Sequence, residues 1–250
     1  MIKNIRNELY KIYKSNRFIL FSMIMVIVSI AMGIILKQVE KMGTFPEETI
    51  AAVTGGAFPL QVLSIISDMV LPIFATLLVC FLVIDEYNNG TLKLPLLCGH
   101  KRVVVLLSKI VAVFFMMFVI MILSYVSATL TGMVLWGKEA ILKNVVETFW
   151  VYMETYLSII SWTVVMFVFA MFIQNSGTLI GIVAVLLVIS SLAGGLFPEA
   201  SKMFVTYYFK AFSSITDRGG ILFGIGICIE TIVIFGMLAY GRFNQMEISK

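Results

Sequence analysis

The chain has 250 residues, 60% of them hydrophobic and only 13% charged, with a net charge of +4 and a mean hydropathy of +1.03. A soluble domain carries roughly a quarter charged residues, so this composition excludes an ordinary water-soluble fold and places the chain in a membrane. A single histidine, His100, excludes a His-based metal site or catalytic triad, and three cysteines (Cys80, Cys98, Cys228) with no CxxC pair exclude a disulfide framework and read as packing residues.

Residues 1–17, MIKNIRNELYKIYKSNR, place Ile2, Ile5, Leu9, Ile12 and Tyr13 at helical spacing, with Lys3, Arg6, Lys11 and Lys14 around the rest of the circumference. The pattern predicts an amphipathic helix lying in the membrane interface, its basic side near anionic headgroups. Apolar runs of about 18 residues or more mark spanning helices, because a helix satisfies its own backbone polar groups where there is no water. Six such runs follow, at about 18–36, 62–84, 104–135, 152–173, 177–197 and 220–240. The first exceeds the apolar region of a signal peptide and lacks a small-x-small cleavage site, so it stays as a span. The third is long enough to tilt or to project beyond the bilayer. The expected fold class is an all-α integral membrane protein, residues 1–250 forming one transmembrane domain. Strand-like alternation of the kind that builds a barrel is absent from the sequence.

Lys and Arg in the short connections set the orientation. With the N-terminus inside, eleven fall on the cytoplasmic side and seven outside, so both termini and the polar stretch 85–102 are expected in the cytosol. Asp68, near the outer end of the second span, is within snorkelling distance of water and reads as structural, with Pro72 as a kink site. The stretch GMVLWGKE, Gly132 to Glu139, has the spacing of a phosphate-cradling loop, but Glu139 stands where Ser or Thr would hold magnesium and no buried strand precedes it. Glu47 and Glu48 share an external loop with no histidine partner, and no hydrolase motif occurs anywhere, so the chain is expected not to be an enzyme. The connection Gln174–Ser176 is so short that it forces spans four and five into a tight hairpin. The external segment 198–219 mixes aromatic and charged residues and predicts short interfacial or re-entrant helices, with Tyr207, Tyr208, Phe209 and Phe212 at headgroup level. Glu230 lies near the bilayer midplane in the last span, where a carboxylate is expensive; it lines a translocation path or clamps neighbouring helices.

The polar stretch DEYNNGTLKLPLLCGHKR interrupts all this oil. Asp85 and Glu86 close the second span, Asn88, Asn89 and Gly90 form a turn signal, and Leu92, Leu94, Leu96 and Leu97 follow beside Lys93, Lys101 and Arg102. Together they imply a short amphipathic element that presents a compact apolar knob.

This arrangement resembles the permease subunits of type-2 ATP-binding-cassette exporters, in which a Glu closing the second helix, a Gly-Thr turn, a leucine-rich short helix and a basic cluster precede the third helix. The residues carrying the resemblance are Glu86, Gly90, Thr91, Leu92, Leu96, Leu97, Lys101, Arg102 and Lys109; the layout of six spans around them extends it to nearly the whole chain. Pro95 interrupts the leucine helix, and Gly99 stands where the family has proline, so the helix is expected as two short pieces. The resemblance implies a coupling helix in 85–102 that docks on a separate ATPase, with two ATPase copies and a second permease, identical or paralogous, completing the complex. It also implies that this chain binds no cofactor, that ATP and magnesium sit on the partner, and that the surroundings are the lipid bilayer of a bacterial cell membrane and not nucleic acid. Glu86→Ala with Arg102→Ala is then expected to uncouple transport without unfolding the spans. Similar small permeases move antimicrobial peptides such as lantibiotics; small-drug export, ion export and a non-transporting scaffold or sensor that docks a cytosolic partner stay open.

Overall fold

The computed structural model describes residues 2–43, 46, 50, 52–99, 101–212 and 218–245. Glu47, Glu48, His100 and residues 213–217 of the external segment therefore lie outside the described residues. Among the described residues every regular element is helical. Helix α1, Ile2–Lys14, stops at the extended backbone of Ser15, and α2, Asn16–Met42, runs on to Gly43, whose left-handed φ of 61° ends it. A continuous helical stretch, α3 (Gly55–Asn88), leads to the single turn α4, Leu94–Leu97. The remaining long helices are α5, Arg102–Trp136; α6, Val145–Phe172; α7, Ser176–Leu196; and α8, Arg218–Gln245.

Six of these, α2, α3, α5, α6, α7 and α8, are long and apolar enough to cross a membrane, which makes this a multi-pass membrane protein. Each of the six predicted spans is present and most run a few residues further at one or both ends. The second begins at Gly55 and the fourth at Val145, because Gly55, Thr54 and Glu147 continue or flank a helix whose apolar part alone is visible to hydropathy. The most apolar stretches of α3, α5 and α6 are 61%, 50% and 67% buried, against 17%, 17% and 11% for α2, α7 and α8, so the first three form the core and the others its outer wall.

Helix α3 is not regular. Two π-turns, Ile66–Val70 and Cys80–Ile84, interrupt it. The first precedes Pro72, which has no N–H to continue the ladder. The second adds a residue to a helix of 3.6 residues per turn and so rotates everything beyond it by about 100°.

The segment after α7 folds as three short turns, Pro198–Ser201, Val205–Tyr207 and Tyr208–Ala211. Tyr208, Phe209 and Phe212 are buried in the protein, and Met203 and Phe204 are the exposed large apolar side chains among the described residues of segment 198–219. The expected row of rings at headgroup level is thus largely an internal anchor. Ser67 of α3 donates to the Phe209 carbonyl at 2.6 Å, and the Tyr208 and Phe212 rings close over Gly224 of α8. A Cβ at Gly224 would meet Tyr208 at 2.6 Å and Phe212 at 2.9 Å. Gly224→Ala is therefore expected to cost about 1–3 kcal/mol by overpacking, read as a lower thermal midpoint in detergent.

Candidate functional site

One end of the bundle gathers α1, the end of α3, α4, the start of α5, the α6–α7 hairpin and the end of α8. The second π-turn divides the two acids that follow it. Asp85 accepts a hydrogen bond from Ser176 Oγ of α7 at 2.9 Å, while Glu86 turns inward to α1 and α5. Glu86 Oε1 lies 2.8 Å from Lys11 Nζ and its Oε2 lies 2.7 Å from Lys109 Nζ. Glu8 closes the ring, 3.2 Å from Lys11 and 3.4 Å from Lys109.

The result is a four-membered ring of alternating charge that joins three helices. Lys109 is 0% exposed and sits about two turns inside α5; an ammonium there persists only with its counter-charges, and two carboxylates supply them. Lys11 is at the rim. Burial works against its charged form, but the hydrogen bond with Glu86 and the charges of Glu8 and Glu86 outweigh it and raise the ammonium above its ordinary 10.5. The stabilisation Lys11 contributes is thus fully present below 10.5 and is lost only as the pH rises through that raised value. Beside the ring a cavity of about 510 Å³ opens between α1 and α4, bordered by Asn4, Glu8, Lys11, Asp85 and Leu94.

From this ring the chain turns outward. Gly90 takes φ 67°, a left-handed value that favours glycine, and the Thr91 hydroxyl donates back to the Glu86 carbonyl at 3.3 Å. Thr91–Lys93 forms a 3-10 turn and α4 follows with Pro95 in its first turn, where a missing N–H costs nothing. The two short pieces expected around Pro95 are what the chain forms. Leu92 is buried and Leu96 packs against the core, while Leu94 and Leu97 are 56% and 77% exposed. Cys98 is exposed as well, unlike the buried Cys80 and Cys228, so only two of the three cysteines are packing residues.

Lys101 is exposed just before α5, whereas Arg102 reaches across to α8 and donates to the carbonyls of Phe243 at 3.3 Å and Asn244 at 2.7 Å. A cation on the last carbonyls of a helix satisfies them and complements its dipole. Asn88 donates to the Gln174 carbonyl at 2.9 Å, tying the same segment to the α6–α7 hairpin, and Asn175 caps α7. The structure therefore brings Glu86, Gly90, Thr91, Leu92, Leu96, Leu97, Lys101 and Arg102 to one end, but in two roles. Glu86, Leu92 and Arg102 hold the segment, and Leu94 and Leu97 face outward. Substituting Glu86 and Arg102 to alanine would disturb the bundle itself, so that pair does not separate docking from folding.

Glu8, Lys11 and the anchoring role of Lys109 escape the reading of polar stretches. Their signals are the i, i+3 spacing of Glu8 and Lys11 and one lysine two turns into an apolar run.

Asp68 and Glu230 lie elsewhere. Asp68 pairs with Lys210 at 2.7 Å at the opposite end of the bundle, both partly exposed. Asp68→Asn is expected to lower stability by no more than about 1 kcal/mol, measured by thermal unfolding in detergent. Glu230 is exposed on the outer side of α8 and, among the described residues, makes no hydrogen bond or ion pair. Gly132 lies inside α5 close to Phe58 and Ile141, and only Gly137 turns, so GMVLWGKE is a helix end leading into Lys138–Leu142.

No curated protein matches the chain. A family model described as a protein of unknown function (DUF2705) matches residues 44–249, from the connection before α3 through α8, and so covers five of the six spans, the Glu86 ring's α3 and α5 members and the α4 segment. By that match this six-span protein belongs to the DUF2705 family.

Proposed function

We propose that the chain is the membrane-spanning subunit of a bacterial ATP-binding-cassette exporter. It moves a hydrophobic or amphipathic substrate, an antimicrobial or cytolytic peptide in the leading case, out of the cell or the membrane. The end that carries α1 and α4 is the cytoplasmic one, because it holds the excess of Lys and Arg. There α1 rests at the interface and α4 serves as the coupling helix. Two ATPase copies with ATP and magnesium dock on two permease copies.

The observation that carries the reading is the contrast within one short segment. Leu94 and Leu97 face outward while Leu92, Glu86 and the Glu8–Lys11–Lys109 ring bind the same segment to α1, α3 and α5. A connector needs no such footing. A docking element does, since displacement of α4 by a partner is then passed to the spans through packed and ion-paired groups and is not absorbed by a slack loop.

The test is the identity of the partner. The tagged chain, extracted from native membranes in mild detergent, is expected to co-purify with an ATP-binding-cassette ATPase at equal stoichiometry by mass spectrometry. An intact complex without such an ATPase contradicts the proposal.

A further inference from the structure

A groove of about 580 Å³ opens on the outer surface where α5 meets α8 over α6, in the half of the bundle nearer α1. Leu107, Phe114, Val164, Val233, Gly236 and Met237 are among its walls, and no charged side chain lines it. Gly236 leaves depth that any side chain would fill, and nothing in the protein lies within 4 Å of a Cβ built there. Val233 and Met237 are exposed into it, as is Tyr240 at its end toward α1.

Glu230 stands on the same stripe of α8, three residues before Val233 and seven before Met237. Residues three apart on a helix have Cβ atoms about 5–6 Å apart, so Glu230 stands on the same face just beyond Val233, the groove wall nearest to it along α8. Glu230 lies twelve residues from the start of a 28-residue helix, which is near its middle. A carboxylate exposed there and unpaired among the described residues is costly in lipid and calls for a cation at the same depth. Three cations near the spans do not face it: Lys109 is enclosed in the charge ring, Lys210 is at the far end with Asp68, and Arg242 lies over the Phe172 ring near the end of α8.

We propose that this groove binds an amphipathic cation from the bilayer, its apolar chain between α5 and α8 and its protonated amine against Glu230. The volume fits a drug-sized, single-chain molecule, since pockets of about 300–1,000 Å³ enclose ligands of that size. Read as the substrate site, this rests on the exporter proposal and names its substrate class; as a binding site it stands without it.

The test uses the full chain in phosphatidylcholine nanodiscs with a photoreactive hexadecylamine, and hexadecanol bearing the same photoreactive group as its uncharged counterpart. The amine is expected to label residues of α5 and α8 that border the groove, and Glu230→Gln, which keeps the shape, to reduce that labelling about tenfold, the effect of one charge-assisted hydrogen bond. The alcohol is expected to label weakly and to ignore Glu230→Gln. Gly236→Leu, which fills the groove and leaves Glu230 in place, is expected to reduce labelling by both.

Equal labelling by amine and alcohol, wild-type labelling in Glu230→Gln, or cross-links confined to α2 and α7 would overturn the proposal. So would loss of amine labelling when phosphatidylethanolamine replaces phosphatidylcholine, because a lipid headgroup would then be the occupant. Co-purification of an ATPase without groove labelling removes this inference alone. Groove labelling without an ATPase removes only the exporter reading.

Discussion

Lys109→Met is expected to lower stability by about 3–5 kcal/mol, the usual cost of removing one member of a buried ion pair. In detergent this corresponds to a fall in thermal midpoint on the order of 10 °C. The cost does not come from lost attraction. Methionine fills a similar volume, but Glu8 and Glu86, both nearly enclosed, are left facing one another with Lys11 as their remaining cation among the described residues. The second substitution Glu86→Leu removes one of the two stranded carboxylates and leaves the Glu8–Lys11 pair at 3.2 Å. The double variant is therefore expected to be more stable than the sum of the two single losses predicts, with a coupling of about 1–3 kcal/mol. Strictly additive losses would show that the four groups do not act as one unit.

Leu94→Asp with Leu97→Asp is expected to do the reverse: little to folding and much to association. Both side chains are more than half exposed, so the thermal midpoint should move by no more than the equivalent of about 0.5 kcal/mol. If these leucines fill a groove on the ATPase, two buried apolar anchors are replaced by carboxylates that must be desolvated. Such anchors carry about 1–2 kcal/mol or more each, so affinity for the partner should fall at least about thirtyfold. Substitution of Leu92, buried in the same turn, should instead lower stability, and the two effects together separate the footing of α4 from its docking face.

Much of the fold is legible in the residues because bilayer thickness and hydropathy act on each span separately. Six spans, the Gly90 turn, the two short helical pieces with Pro95 in the first turn of the second, and the tight α6–α7 hairpin all follow from neighbours in sequence. The charge ring does not. Glu86 finds Lys11 75 residues away and Lys109 23 residues away, and no periodicity in either segment announces the other. The π-turn that aims Glu86 inward is likewise invisible in a pattern read at 3.6 residues per turn. Glu8 is hidden for a different reason: on α1 it reads as one charge among basic neighbours, and only the approach of α5 shows that it is buried. For the aromatic residues around Tyr208, composition matches both an interfacial belt and an internal anchor, and Gly224 on a distant helix decides between them.

The most direct measurement is site-specific photo-crosslinking from Leu97 in native membranes, with Leu130 on the α5 surface as the lipid-facing control. The account predicts a cross-linked product from Leu97, absent from Leu130, that contains an ATP-binding-cassette ATPase. A Leu97 product containing any other protein, or none while the complex is intact, would contradict it.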